Sequence, residues 1–233
     1  MINNMKKRLL LCLIALAVPL HSTTSAKTTI KASSPKLKNK LSYSYNESSE
    51  NKTVSVNWEE ENTNNQRKIS LISENETEII LGNNNTEQWL YKNNDSNNEI
   101  SIGIKDDLAT IKQIKDGKTS TKTMPLNGTP FKYPPSFFMS DFIASDKQKL
   151  FFWVANKTDG NLRQMIFTKL GTETITIQNK DIMCTKIEMK PPGLAGMVWK
   201  ALYWFDSKTG EFIQYSGKKG PPGTPDFLIQ KKY

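Results

Sequence analysis

The side chains that run most protein chemistry are scarce in this chain. It has one histidine, His21, and two cysteines, Cys12 and Cys184. His21 and Cys12 fall within residues 1–26, which read as a removable export signal, so the rest of the chain holds no imidazole and one thiol. Ser-His-Asp and Cys-His nucleophilic arrangements and imidazole metal sites are therefore excluded from the exported protein. No Gly-rich phosphate loop, paired-cysteine zinc site or EF-hand pattern is present. "GKKGPPG" at 217–223 sets two lysines among glycines but lacks the Lys-Ser/Thr ending of a phosphate loop, and it reads as a mobile turn. Carboxylate pairs could still hydrolyse glycosides, with Asp141, Asp159, Asp206 and Asp226 as the candidates. Asp159 in "TDGN" and Asp206 in "FDSKTG" are better explained as turn formers. Adjacent strand acids such as Glu59 and Glu60 are expected to face solvent, and Ser136 and Ser140 have no base partner. Cys184, alternating with its neighbours in "DIMCTKIEM", reads as a buried, inert thiol. No catalytic residue, metal ligand or cofactor is assigned, and the chain is expected not to be an enzyme.

The aromatic residues are more suggestive. Trp58, Trp89, Trp153, Trp199 and Trp204 lie on five separate segments, and Phe137 and Phe138 sit in a proline-flanked apolar insert. If the strands form a curled sheet, Trp58, Trp89, Phe137, Phe138, Trp153 and Trp204 are the candidates to line an apolar ligand site. The competing reading of the same residues is an ordinary core, since any large sheet must bury aromatics. Methionines at 139, 165, 183, 189 and 197 fit either an adaptable pocket or gap filling.

Alternation of apolar and polar residues identifies the elements that position these side chains. "LSYSYNES", "KTVSVNWEE", "RKISLIS", "TEIILG", "EQWLYK" and "NEISIGIK" each repeat with period two and are separated by Asn-rich turns, the pattern of an antiparallel meander. Asp116-Gly117 marks a further hairpin. The stretch "MPLNGTPFKYPPSFFMSDFIAS" breaks the alternation with four prolines; Pro135 can open a helix, and Phe137, Phe138, Phe142 and Ile143 suit one or two helical turns. A short helix or lid over the sheet is expected there. Strands resume in "KLFFWVAN", "LRQMIFTKL", "TETITIQ" and "IMCTKIEM", with turns at 156–161 and 179–181. In "WKALYWFDSKTGEFIQYSG", residues 200–205 form a strand, 206–210 the turn and 211–216 the return, so Leu202 and Trp204 share one face and Tyr203 and Phe205 the other. A sheet of roughly ten or more strands cannot stay flat, so the fold class is all-β: a strongly curved antiparallel sheet, half-barrel or barrel with a short helical or loop lid.

Before the first strand, Lys6, Lys7 and Arg8 precede an apolar stretch over 9–20 that is shorter than the roughly 20 residues that span a bilayer. It ends in Thr24-Ser25-Ala26, so residues 1–26 read as a cleaved signal peptide, 27–40 as a flexible leader and 41–233 as one β domain. Leu11 stands where a lipobox needs a small residue, which argues against lipidation at Cys12. Losing the signal lowers the net charge from +9 to +6, because it carries three cations and no acid. An exported chain with one cysteine points to a bacterial envelope, and the expected location is the periplasm. The excess charge is lysine scattered among acids and amides, with only Arg67 and Arg163 as arginines after the signal, so no nucleic acid partner is expected. Contact with a membrane would be peripheral at most.

The segments "PPGLAGMVWKALYWF" and "GPPGTPDF", with the "YWFD" strand and "D-x-x-T-G" turn between them, resemble an uncharacterised family of bacterial exported proteins built on a domain of unknown function. The resemblance is strongest over 150–233. The overall architecture is also similar to the periplasmic lipoprotein carriers LolA and LolB, whose half-barrel and helical lid hold acyl chains. Export, the lack of catalytic residues and aromatic strands around a proline-flanked apolar insert lead to the expectation of a non-enzymatic binding protein that takes a lipid or other apolar small molecule under the 136–144 segment. The alternative is a structural or assembly factor that binds an envelope protein through edge strands or Pro/Gly loops; a carboxylate hydrolase is third.

Overall fold

The computed structural model describes residues 39–49, 52–63, 66–218 and 224–233. The expected signal and nearly all of the leader lie outside the described residues, as does most of the "GKKGPPG" turn; Asn39 and Lys40 already belong to the first strand.

Eight strands follow one another: β1 (Asn39–Ser49), β2 (Lys52–Thr63), β3 (Gln66–Ile72), β4 (Glu76–Gly82), β5 (Thr86–Asn93), β6 (Asn98–Lys105), β7 (Leu108–Lys115) and β8 (Lys118–Pro125). A connection over 126–148 holds a 3-10 turn (Pro135–Phe137) and the short helix α1 (Ser140–Ala144). A second meander follows, with β9 (Lys149–Ala155), β10 (Leu162–Ile177), β11 (Lys180–Lys190), the one-turn helix α2 (Ala195–Val198), β12 (Ala201–Asp206), β13 (Phe212–Lys218) and β14 (Asp226–Lys231). Pairing of β1 with β14, Tyr45 opposite Lys231, joins the two meanders into one fourteen-stranded antiparallel sheet. Its order runs from β8 through β1 to β14 and on to β9. The two edges, β8 and β9, do not pair with each other among the described residues, so the sheet is an open, curved half-barrel.

Turn chemistry sets the register. Asp116 and Gly117 both take positive φ (50° and 75°) and close the β7–β8 hairpin as expected. Gln178 and Asn179 do the same between β10 and β11, which moves that turn one residue earlier than the sequence pattern placed it. In the β12–β13 turn the Asp206 carboxylate accepts bonds from the Lys208 and Thr209 amides (2.8 and 2.9 Å), and Gly210 at φ 71° donates to the Asp206 carbonyl. Segments 162–170 and 172–178, expected as separate strands, are one sixteen-residue strand, because Leu170 is accommodated as the extra residue of a bulge and Gly171 resumes the pairing opposite Lys186.

One core fills the concave side. Tyr45, Ile69, Ile80, Trp89, Ile100, Ile111, Phe152, Phe167, Ile187 and Phe205 belong to it, so strands from both meanders contribute. Curvature brings distant strands together: the 156–161 turn reaches the first meander, where the Lys157 carbonyl accepts from Asn98 of β6 (2.9 Å). A Cβ at Gly160 would stand 3.1 Å from Ile100 and 3.3 Å from Ile111, so a glycine lets this turn close against the wall. A second, smaller cluster of Ile177, Ile182, Cys184, Trp204 and Ile213 covers the other face of β10–β13.

Candidate functional site

The 126–148 connection lies on the concave face. Its first part is tied by backbone bonds: Phe131 bridges Trp153 of β9, and the Phe131 carbonyl accepts from the Thr86 amide at the start of β5 (2.9 Å). Beyond Tyr133 the attachment changes. Phe137, Phe138, Met139, Phe142 and Ile143 are all buried in the core. Phe137 packs against Tyr43 and Trp58 (centroids 5.5 and 5.4 Å), and Phe142 against Phe167. Yet the backbone bonds of 134–145 among the described residues stay inside the segment: Phe137 to Pro134, Phe138 to Pro135, Ile143 to Met139 and Ser145 to Phe142. The short helical pieces carry no side-chain cap at their N-termini. Side chains hold this stretch in place; the ladder does not. The expected lid is thus a plug that occupies the concave face.

Three cations take up the carbonyls that such short turns leave free. Arg67 of β3 donates to the Phe137 carbonyl (2.5 Å) and lies over the Phe138 ring at 5.4 Å. Lys132 donates to Phe138 and Asn84 (2.8 and 2.6 Å). Lys169 of β10 donates to Ile143 (3.1 Å) and to Ser145. Behind Arg67 stands Glu60, which accepts from Arg67 (2.8 Å), Tyr43 (3.0 Å) and Asn62 (3.0 Å). Burial alone would raise the Glu60 carboxyl, but these donors hold it below its ordinary value. Glu60 was expected to face solvent; it is buried because it lies in phase with Trp58 on the concave side, while Glu59 is exposed. Lys132 has carbonyl partners, and burial pulls its ammonium down to about 8.

A second polar knot sits on β4. Glu78, 1% exposed, accepts from the Trp89 indole (2.8 Å) and pairs with Lys157 at 2.6 Å. Lys157 also pairs with Glu76 (2.9 Å) and lies over the Tyr91 ring. Burial pushes the Glu78 carboxyl up, and the Lys157 ammonium opposes it. This knot fastens the 156–161 turn to the first meander.

Trp58, Trp89, Phe137, Phe138 and Trp153 come together in or against the one concave core. Trp204 does not. It stands in the small cluster on the opposite face, its indole bonded to Glu173 (2.5 Å), so its place among the concave candidates is corrected. Alternation already separated Trp204 from Tyr203 and Phe205. Of the acids, Asp159 and Asp206 accept bonds within their own turns, Asp226 pairs with Lys218 and Asp141 is exposed. Cys184 is fully buried, and burial raises its thiol to about 11. A surface groove of about 410 Å³ lies by Ile182, Met183 and Tyr233. Another cleft, of about 480 Å³, lies by Asn84, Thr86, Asp107 and Pro130. None of the six aromatic candidates lines either. Sequence reasoning missed Glu60, Arg67, Glu78, Lys132 and Lys157. For the two acids a signal existed, since each falls in phase with an inward residue, Trp58 and Ile80.

No protein-family model and no curated protein matches the chain. Among solved structures it is similar to a beta-barrel-like protein of a domain of unknown function from Brucella abortus, at 7% identity and a TM-score of 0.45, over 84% of this chain and 95% of that one. It is also similar to the hypothetical lipoprotein YmcC from Escherichia coli, at 12% identity and a TM-score of 0.33, over 81% and 82%. A third is a provisionally assigned outer membrane lipoprotein-sorting protein domain from Vibrio parahaemolyticus, at 9% identity and a TM-score of 0.29, over 83% of each chain. The likeness is one of overall β architecture. Among the described residues no helix is long and apolar enough to cross a membrane.

Proposed function

We propose that this is an exported, non-enzymatic binding protein of the bacterial envelope whose curved sheet takes up a lipid acyl chain or similar apolar ligand in place of its own 134–147 segment. One observation carries the reading. Five large apolar side chains of that segment, Phe137, Phe138, Met139, Phe142 and Ile143, are buried on the sheet, while its backbone bonds are internal. A ligand of like polarity can replace such a cover without breaking the ladder, because the apolar surface it exposes on one side is covered again on the other. The cations Arg67, Lys132 and Lys169 hold the cover in register when no ligand is present. The same cations are placed to meet an anionic headgroup once the carbonyls they bond have moved away.

Native mass spectrometry of the protein purified from its own envelope, followed by organic extraction, tests this. A reproducible added mass that extracts as lipid is expected. A clean unliganded mass, with no gain after incubation with total envelope lipid, refutes the reading.

A further inference from the structure

The β11–β12 connection carries an apolar group that the core does not use. Leu194, Met197 and Val198 are 83%, 80% and 70% exposed, on and beside the single turn of α2. Large apolar side chains exposed singly are ordinary, but three on one projecting turn are not. The turn is shaped by glycines: Gly193 takes φ 68°, and a Cβ at Gly196 would stand 2.5 Å from the Pro191 carbonyl. Much of its backbone bonds within the turn, with Gly196 donating to Gly193, Met197 to Leu194 and Trp199 to Ala195. A tip that bonds its own amides can enter an apolar phase without stranding them.

The charges around it have one sign within the connection. Lys190 and Lys200 bracket the turn, and no acid lies between them in "KPPGLAGMVWK"; Lys190 also pairs with Glu188 of β11 at 2.7 Å. Lys218, which pairs with Asp226 (3.2 Å), ends β13 on the same edge of the fold, since Gly217 pairs with Ala201 just after the turn. Trp199, at the base, packs against the core with part of its indole still accessible, the position an amphipathic ring takes at a bilayer interface. A protein partner of this tip would be expected to find exposed aromatic or arginine anchors and free donors. Leu194, Met197 and Val198 offer neither, and Trp199 is packed against the core at the base, whereas a lipid surface needs none.

We infer that the α2 turn is a membrane-docking tip: Leu194, Met197 and Val198 enter the headgroup–acyl boundary of an anionic lipid surface, with Lys190 and Lys200 at the level of the phosphates. This goes beyond the carrier reading and stands whether or not the concave face loads a ligand. The test compares the full chain with its L194S/M197S/V198S variant in sedimentation with phosphatidylcholine vesicles and with vesicles that also contain phosphatidylglycerol. Both chains share the same N-terminal residues, so a difference between them reports the turn alone. The native chain is expected to sediment with the anionic vesicles, less with the neutral ones, and less as salt rises. The variant should bind at least about tenfold more weakly while keeping its fold by circular dichroism. In a V198W chain, bromine on the acyl chains should quench the new indole. Equal sedimentation of native and variant chains, or no quenching of V198W on vesicles, overturns the inference. So does a native chain that binds no vesicle but crosslinks to a protein through position 198. Loss of vesicle binding in a variant that still carries extractable lipid separates this tip from the concave site.

Discussion

Arg67 links the sheet to the plug, and removing it should show what that link is worth. In Arg67→Met the stem persists, but the Phe137 carbonyl loses its donor and Glu60 loses its cation. The Glu60 side chain is 6% exposed and that of Arg67 22%. Breaking a buried pair from one side costs roughly 3–5 kcal/mol, and the partial exposure of Arg67 places this case at about 3 kcal/mol at pH 7. The pH dependence has a definite sign. In the native protein Glu60 is held below its ordinary 4.5, so the stability it contributes is present above that pH and is lost as pH falls through the folded value. In the variant, only the Tyr43 and Asn62 bonds still oppose burial, which then raises the carboxyl, so Glu60 destabilises the fold as pH rises through 4.5 toward 7. The penalty should therefore shrink to about 1 kcal/mol near pH 4. Urea melts followed by tryptophan fluorescence at both pH values measure it, and Glu60→Gln added to the variant should recover more than half of the loss at pH 7. A loss below about 1 kcal/mol at pH 7, or an equal loss at pH 4, refutes the assignment of Arg67 and Glu60 as a buried anchor.

Lys132 should give an opposite signature in the alkaline range. Its folded value of about 8 lies below the ordinary 10.5, so the cost of burying its charge is present below pH 8 and is relieved as pH rises toward 10.5. Relative to Lys132→Met, which shares every other titrating group, the native chain should gain about 1.5 kcal/mol between pH 8 and 9.5; a flat difference contradicts a buried ammonium. Cys184 should react with a thiol reagent at pH 8 only as fast as the protein unfolds, and rapid labelling of the folded chain would contradict its burial. Gly210→Ala should cost about 1–2 kcal/mol in the same melts, since φ is 71° and the added Cβ would meet Ser140 of α1 at 2.9 Å. A neutral Gly210→Ala contradicts the seating of the β12–β13 turn on the plug.

The strands were legible because burial of one face imposes period two, and the "YWFDSKTG" turn because Asp206 and Gly210 are the residue types its geometry requires. The fusion of two expected strands into β10 was not, since a glycine in a strand reads alike as a break or a bulge until its partner strand is known. The 134–147 segment announced its apolarity and its helical turns, but sequence does not say which side of a cover its phenylalanines face. The anchors were hidden for a related reason. Glu78 and Lys157 are 79 positions apart, and only the curvature of the sheet makes them partners at 2.6 Å. Trp204 shows the limit of counting aromatics without applying the alternation that already set it apart from Phe205.

On the proposed function, the 134–147 segment and an apolar ligand compete for one concave surface. Hydrogen exchange of the protein with and without saturating bound envelope lipid tests it most directly. Amides of 134–147 are expected to exchange faster in the loaded protein, while those of β5, β6, β12 and β13 keep their protection. Unchanged or increased protection of 134–147 in a protein shown to carry lipid would contradict it, because the ligand would then lie somewhere other than beneath the plug.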